Sequence, residues 1–132
     1  MRLIDADSHV IESEATWQFL DPAYAARRPI PITLPDDTSF KAWNAFWLID
    51  RKVRHFGATP TTAKIAQRKT FSIGSQELTD VRTRVADMDR LRIEKQVVHP
   101  SFCLLTMTED PELEAALMRS YQSMYDAYTR IF

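Results

Sequence analysis

From Thr79 onward the apolar residues of this chain change period twice, and that change constrains the fold more than any other feature. Val81, Val85, Met88 and Leu91 recur at helical spacing with charged residues between them, the pattern of a helix with one buried stripe. Thr79 is placed to cap this helix, with Asp80 in its first turn, where a negative charge complements the dipole. The pattern then shortens to Gln96-Val97-Val98-His99, closed by Pro100, which reads as a short buried strand. Ser101, Phe102 and Cys103 lie at its exit. Asp110-Pro111 opens a second helix, with Asp as cap and proline at the first helical position, where no N–H is needed. Glu112 and Glu114 complement its dipole. Leu113, Leu117, Tyr121, Met124, Tyr128 and Ile131 keep one apolar face, which predicts core or interface rather than a cofactor box. Helix, strand and helix in this order predict an α/β arrangement with parallel strands.

The natural partner strand is Leu3-Ile4-Asp5-Ala6-Asp7-Ser8-His9-Val10. As a strand its side chains alternate, placing Leu3, Asp5, Asp7 and His9 on one face and Ile4, Ala6, Ser8 and Val10 on the other. The second face is mostly apolar and suits packing under helices. Asp7 and His9 point the same way at a separation that suits two ligands of one divalent ion. Spacing alone leaves two readings equally open: half of a metal site, or an edge strand with a wet polar face.

The 132 residues make one domain's worth of chain, and 45% hydrophobic with 27% charged residues is a globular balance. A net charge of -1 gives no electrostatic footprint for nucleic acid or an anionic membrane surface. The single cysteine, Cys103, has no internal disulfide partner and fits a reducing compartment. Charges at Asp5, Asp7, His9, Glu12 and Glu14 interrupt any leader-like apolar core, and no run is long enough for a membrane span. These features predict a soluble, cytoplasmic protein.

Between the two regular regions the reading is coarser. Ser13 or Thr16 caps a short helix through Trp17, Phe19 and Leu20. Residues 21–40, with Pro22, Pro29, Pro31 and Pro35, read as a stiff irregular excursion. A helical start falls at residues 41–45. Phe46-Trp47-Leu48-Ile49 and Lys52-Val53-Arg54-His55-Phe56 read as a hairpin around Asp50-Arg51, although such a turn prefers glycine at the second position. The aromatic residues here read as packing, and Arg51, Arg54 and His55 are candidates for a substrate-side role. Residues 57–77 read as a loop with a short helix at 62–69.

Together these stretches resemble a known family. Ile4-Asp5-Ala6-Asp7-Ser8-His9-Val10-Ile11-Glu12 resembles the opening strand of the amidohydrolase-related proteins that include the ACMSD-type decarboxylases. Arg84-Val85-Ala86-Asp87-Met88-Asp89, running to Gln96-Val97-Val98-His99-Pro100-Ser101-Phe102, resembles the helix and strand that follow, and the aromatic hairpin resembles an insertion after the first strand. The resemblance implies the N-terminal part of a TIM-type (β/α)8 barrel, incomplete in this chain, since such a barrel takes about 250 residues. It divides the chain into a first strand (1–12), an insertion (21–77) and a helix–strand–helix unit (78–132).

The resemblance also implies one divalent metal ion, zinc or manganese, held by Asp7 and His9, with Glu12 behind them or structural. Asp7 departs from the commoner His or Glu at that position. The family's remaining ligands fall beyond residue 132, so the ion is expected to be weakly held and the chain inactive alone. The implied activity is a hydrolase or nonoxidative decarboxylase acting on a small carboxylated or amide-containing compound. Arg92 and Arg51 stand where glycine is usual, and a non-glycine residue at 92 is expected to resist a left-handed helix end. Expected partners are a small-molecule substrate and either further copies of the chain or the rest of the barrel. The contrasting reading is an inactive remnant or interaction module that self-associates through strand edges and its aromatic helix face.

Overall fold

The computed structural model describes residues 3–33, 45–54 and 71–130. Within them run strands β1 (Leu3–Val10), β2 (Ile30–Thr33), β3 (Ala45–Ile49), β4 (Lys52–Arg54) and β5 (Ile93–Pro100). The α-helices are α1 (Ile73–Glu77), α2 (Val81–Leu91) and α3 (Pro111–Thr129), with short 3-10 turns at Glu14–Phe19, Pro22–Arg27 and Phe102–Leu104. β1 and β5 pair in parallel, while β2, β3 and β4 form a separate antiparallel sheet in that order. The predicted alternation of parallel strand, helix, strand and helix is present.

α3 carries the larger share of the packing. Its N-cap Asp110 accepts from the amides of Glu112 and Leu113 at 3.0 and 3.2 Å, and Pro111 follows at the first helical position. Leu113 and Leu117 are fully buried with Trp17, Trp47, Ile49, Phe102, Cys103 and Met107. Burying each leucine is worth ~1.5–3 kcal/mol. Trp17 and Trp47 meet edge to face, centroids 5.8 Å apart at 87°, the arrangement that suits their ring quadrupoles. Ser120 donates to the Thr16 carbonyl at 2.6 Å and so ties α3 to the 3-10 turn below it. A second cluster, Val10, Leu78 and Met124 with Val81, Val98 and Tyr125 against it, joins the end of β1 to both long helices; Tyr121 packs on both clusters.

The predicted hairpin forms as far as Arg54, with Ile49 paired to Lys52 and Trp47 to Arg54, while His55 and Phe56 lie outside the described residues. Its turn residues Asp50 and Arg51 both have positive φ, 49° and 62°, so Arg51 adopts the conformation that glycine would adopt more easily. Arg27 holds this turn in place, donating to Asp50 at 2.9 Å and to Asp110 at 2.7 Å. Asp110 is thereby both helix cap and ion-pair partner.

Several expectations are corrected. The excursion at 21–40 is not wholly irregular: Pro22–Arg27 is a 3-10 turn capped by Asp21, and β2 pairs with β3. α1 occupies the end of the stretch read as loop. The cap of α2 is Asp80 and not Thr79, because the Asp80 carboxylate accepts both the amide and the hydroxyl of Thr83, at 3.0 and 2.6 Å. The corner between α1 and α2 needs Gly74, where a Cβ would lie 2.8 Å from that of Asp80. Arg92 does not resist the left-handed conformation: it ends α2 at φ 59°, ψ 31°, its amide bonded to the Asp89 and Met88 carbonyls. The short helix after Ser13 is 3-10, with Ser13 and Thr16 capping each other's amides. Residues 41–44 of the expected helical start, and the helix expected at 62–69, lie outside the described residues.

Candidate metal centre at the strand ends

β1 is not a regular strand. Asp5 pairs with Gln96 and Ser8 with Val98, so Ala6 and Asp7 together stand opposite Val97. This is a β-bulge, a feature that re-aims a side chain near a functional edge. Inside it, the Asp7 amide donates to the Asp5 carboxylate at 3.2 Å. Ser8 and Val10 turn inward while Asp7 and His9 stay outside. Ile4 and Ala6 are exposed, Ile4 at 67%, so only the carboxyl-terminal half of the expected apolar face packs under helices.

Asp7 and His9 come together as the alternation predicted. His9 Nε2 lies 3.4 Å from Asp7 Oδ1, with the Asp7 side chain 90% exposed and His9 38%. The other ring nitrogen, Nδ1, is 2.9 Å from the Pro100 carbonyl oxygen. A carbonyl only accepts, so Nδ1 carries a proton, and a neutral imidazole then bears its lone pair on Nε2. In a neutral ring the Nε2 lone pair faces the Asp7 carboxylate at the open end of the strand pair, and in a protonated ring the same contact is an ion pair. Ser101 Oγ sits 3.4 Å from Nδ1, and the ring of His99, the residue paired with His9 on β5, lies 5.9 Å away between centroids.

Glu12, two residues beyond β1, faces inward. It is 1% exposed and accepts from three backbone amides of the turn after β5: Ser101 at 3.0 Å, Phe102 at 2.8 Å and Cys103 at 3.1 Å. Burial pushes its carboxyl above the ordinary value, and the amides of Phe102 and Cys103 oppose that rise. Glu12 is therefore a staple between the end of β1 and the exit of β5. The Cys103 thiol beside it is pushed up by burial and by the Glu12 charge, which disfavours the reactive thiolate.

Arg84 on α2 supplies what sequence reasoning missed. Arg84 is 9% exposed as a residue, and its guanidinium donates to Ser8 Oγ at 2.7 Å, to the His9 carbonyl at 3.3 Å from both Nη atoms, and to the Ser75 carbonyl at 3.0 Å. Its Nε donates to Gln96 Oε1 at 3.0 Å, and Gln96 Nε2 donates to Asp5 Oδ2 at 3.1 Å. Burial lowers the Arg84 pKa, the nearby charges of Asp5 and Asp87 oppose that fall, and the acceptors it bonds among the described residues are uncharged. One sequence signal marks this residue. It lies three positions after Val81 and four before Met88, on the apolar stripe rather than between stripes.

The other candidates sit apart. Arg51 is exposed in the hairpin turn, and Arg54 is half-buried with its Nε unpartnered among the described residues. Neither bonds to Asp7 or His9 among the described residues, and His55 lies outside them. Among the described residues there is also no group of three or more His, Cys, Asp or Glu side chains placed to hold a metal ion. Asp7 and His9 nonetheless have the donor chemistry of a divalent site, one carboxylate oxygen and one imidazole nitrogen whose partner nitrogen is already committed. Such sites use three or more protein donors, of which these two would be a part. No described helix is long and apolar enough to cross a membrane.

No family model matches the chain, and no curated protein does. Among solved structures, it is similar to a crystal structure of an amidohydrolase from Mycobacterium avium subsp. paratuberculosis K-10, with a TM-score of 0.63 at 19% identity. The match covers 97% of this chain but only 38% of that one. In fold, the chain is therefore similar to part of an amidohydrolase, a mixed α/β arrangement that fits a partial TIM-type barrel.

Proposed function

We propose that this chain forms the first part of a metal-dependent hydrolase or nonoxidative decarboxylase acting on a small carboxylated or amide-containing compound. The observation that carries this reading is the Asp7–His9 pair. Nδ1 lies against the Pro100 carbonyl, and His9 Nε2 and a carboxylate oxygen face each other at 3.4 Å. In this arrangement a divalent cation would satisfy the carboxylate and the neutral ring together. The likeness in fold to an amidohydrolase supports it. Such an ion, zinc or manganese, supplies Lewis acidity to a substrate oxygen or to a water.

The chain's own residues do the holding. Asp7 offers charge, His9 offers a lone pair, and the Pro100 carbonyl sets the ring's orientation and tautomer. Glu12 keeps the turn carrying Ser101 against the end of β1. The further donors of a complete site, and the groups that would decide between hydrolysis and decarboxylation, are proposed to come from outside the described residues. The same reading accounts for the exposed apolar surface of the parallel pair, Leu3, Ile4 and Val97. Parallel sheets are ordinarily covered on both faces, here by the rest of a barrel or by another copy.

Cobalt(II) titration followed by visible absorption, with elemental analysis for zinc and manganese, tests the metal reading. Wild type should bind one divalent ion per chain, and Asp7→Ala and His9→Ala should each weaken binding by about tenfold or more. Full metal content in both variants would show that the contact is an ordinary ion pair and overturn the reading.

A further inference from the structure

A carboxylate exposed on a strand edge has many rotamers and no reason to face one particular imidazole. Alternation puts Asp7 on the same side of the strand as His9, and its backbone sits in a bulge from which a directional chain of hydrogen bonds leads inward. Arg84 Nε donates to Gln96 Oε1, Gln96 Nε2 donates to Asp5 Oδ2, and Asp5 Oδ1 accepts the Asp7 amide. Both ends fix the direction of the middle. An arginine nitrogen only donates and an ionised carboxylate only accepts, so the Gln96 amide has one orientation that serves both. The same guanidinium holds the carbonyl of His9 and the hydroxyl of Ser8. One buried side chain thus reaches both members of the Asp7–His9 pair, one through its carbonyl and the other through two intermediaries.

We propose that Arg84, Gln96 and Asp5 are positioning residues: a relay that holds the β1 bulge so that the Asp7 carboxylate is aimed at His9 Nε2. The proposal deepens the metal reading above and rests on it for its purpose. The relay also explains why the bulge falls where it does. Three acceptors and donors lie in register across β1, β5 and α2, and the paired residues Asp5 and Gln96 are the last before the two-against-one step.

The test exploits polarity. Gln96→Leu removes the middle link. Asp5→Asn leaves one link with two donors facing each other, whichever way the new amide turns. Both single variants should weaken cobalt(II) binding by about tenfold. The double variant Asp5→Asn/Gln96→Glu moves the carboxylate beside Arg84 and restores all three links, so it should recover most of the lost affinity. A residue that merely stabilised the fold would lose and regain affinity only in step with the melting temperature. The second readout is independent of metal: hydrogen exchange of the Asp7 amide should accelerate in both single variants and slow again in the double. Wild-type affinity and wild-type Asp7 exchange in Gln96→Leu, or failure of the double variant to restore either, overturns the relay. If wild type binds no cobalt(II), the metal reading fails by itself and the Asp7 exchange pattern alone decides the relay.

Discussion

Glu12 and Asp7 are carboxylates five positions apart at the same end of one strand, and their surroundings are opposite. Glu12 is buried and accepts three backbone amides. Asp7 has a side chain 90% exposed, with an imidazole nitrogen facing it among the described residues, at 3.4 Å. The first has its hydrogen-bonding capacity met by its own chain. The second has a backbone held by the chain and a carboxylate left open. A buried acceptor with all its donors in place is part of the fold, whereas an exposed one held only by water is available to a ligand. The difference separates structure from site within one short stretch that holds three acids.

The largest expected effect falls on the structural member. Glu12→Ala strands three amides at the β5 exit and should lower stability by about 3 kcal/mol or more. Glu12→Gln keeps one accepting oxygen and should cost about 1–2 kcal/mol. Urea unfolding measures both. The pH dependence has a definite sign. Burial raises the native Glu12 value above its ordinary 4.5, so the native state holds this proton more tightly than the unfolded chain does. The associated stability is fully present below 4.5 and is lost as pH rises through the raised value. Glu12→Gln should flatten that fall. A residual slope belongs to Glu77, which burial also raises. An unchanged slope in Glu12→Gln would mean that Glu12 stays ionised in its amide nest.

On the open side the order of effects reverses. Asp7→Ala removes no buried contact and should change stability by no more than about 0.5 kcal/mol, while lowering divalent-metal affinity about tenfold. Calorimetric titration against thermal unfolding separates the two. A large loss of stability in Asp7→Ala would erase the contrast with Glu12.

Much of this was legible in the residues, for physical reasons that differ by element. α3 follows from its apolar period and its Asp110–Pro111 start, and α2 from its period although its cap is Asp80. β5 runs from Ile93 to Pro100, longer than its apolar run suggests and with Val97 exposed. The Asp7–His9 juxtaposition follows from strand alternation. β2 was hidden by Pro29 and Pro31, which read as strand breakers. It is an edge strand, where Pro31 can face Trp47 without a complete ladder of donors. α1, Ile73–Glu77, is too short to show a period. The bulge was invisible because it depends on Asp5 bonding an amide two residues away while Gln96, on another strand, holds it from the side. Arg84 was masked by its charge. A cation on a helix is ordinarily read as solvent-facing, and only its place on the apolar stripe argues otherwise.

The smallest effect provides the control for both carboxylates. Arg92 ends α2 at φ 59° and Arg51 completes the hairpin turn at φ 62°, a region where a Cβ costs roughly 1 kcal/mol relative to glycine. Glycine also has more backbone freedom to lose on folding, which returns part of that gain. Arg92→Gly and Arg51→Gly should therefore each stabilise the chain by about 0.5–1 kcal/mol, read as a rise in the urea midpoint at constant slope. Neither residue touches Glu12, Asp7 or His9 among the described contacts, so metal affinity should not move. This separates two explanations of any weakened binding elsewhere. If added stability at Arg92 also tightens metal binding, then affinity follows global stability, and the loss in Asp7→Ala carries no information about a ligand. If it does not, the open carboxylate acts locally.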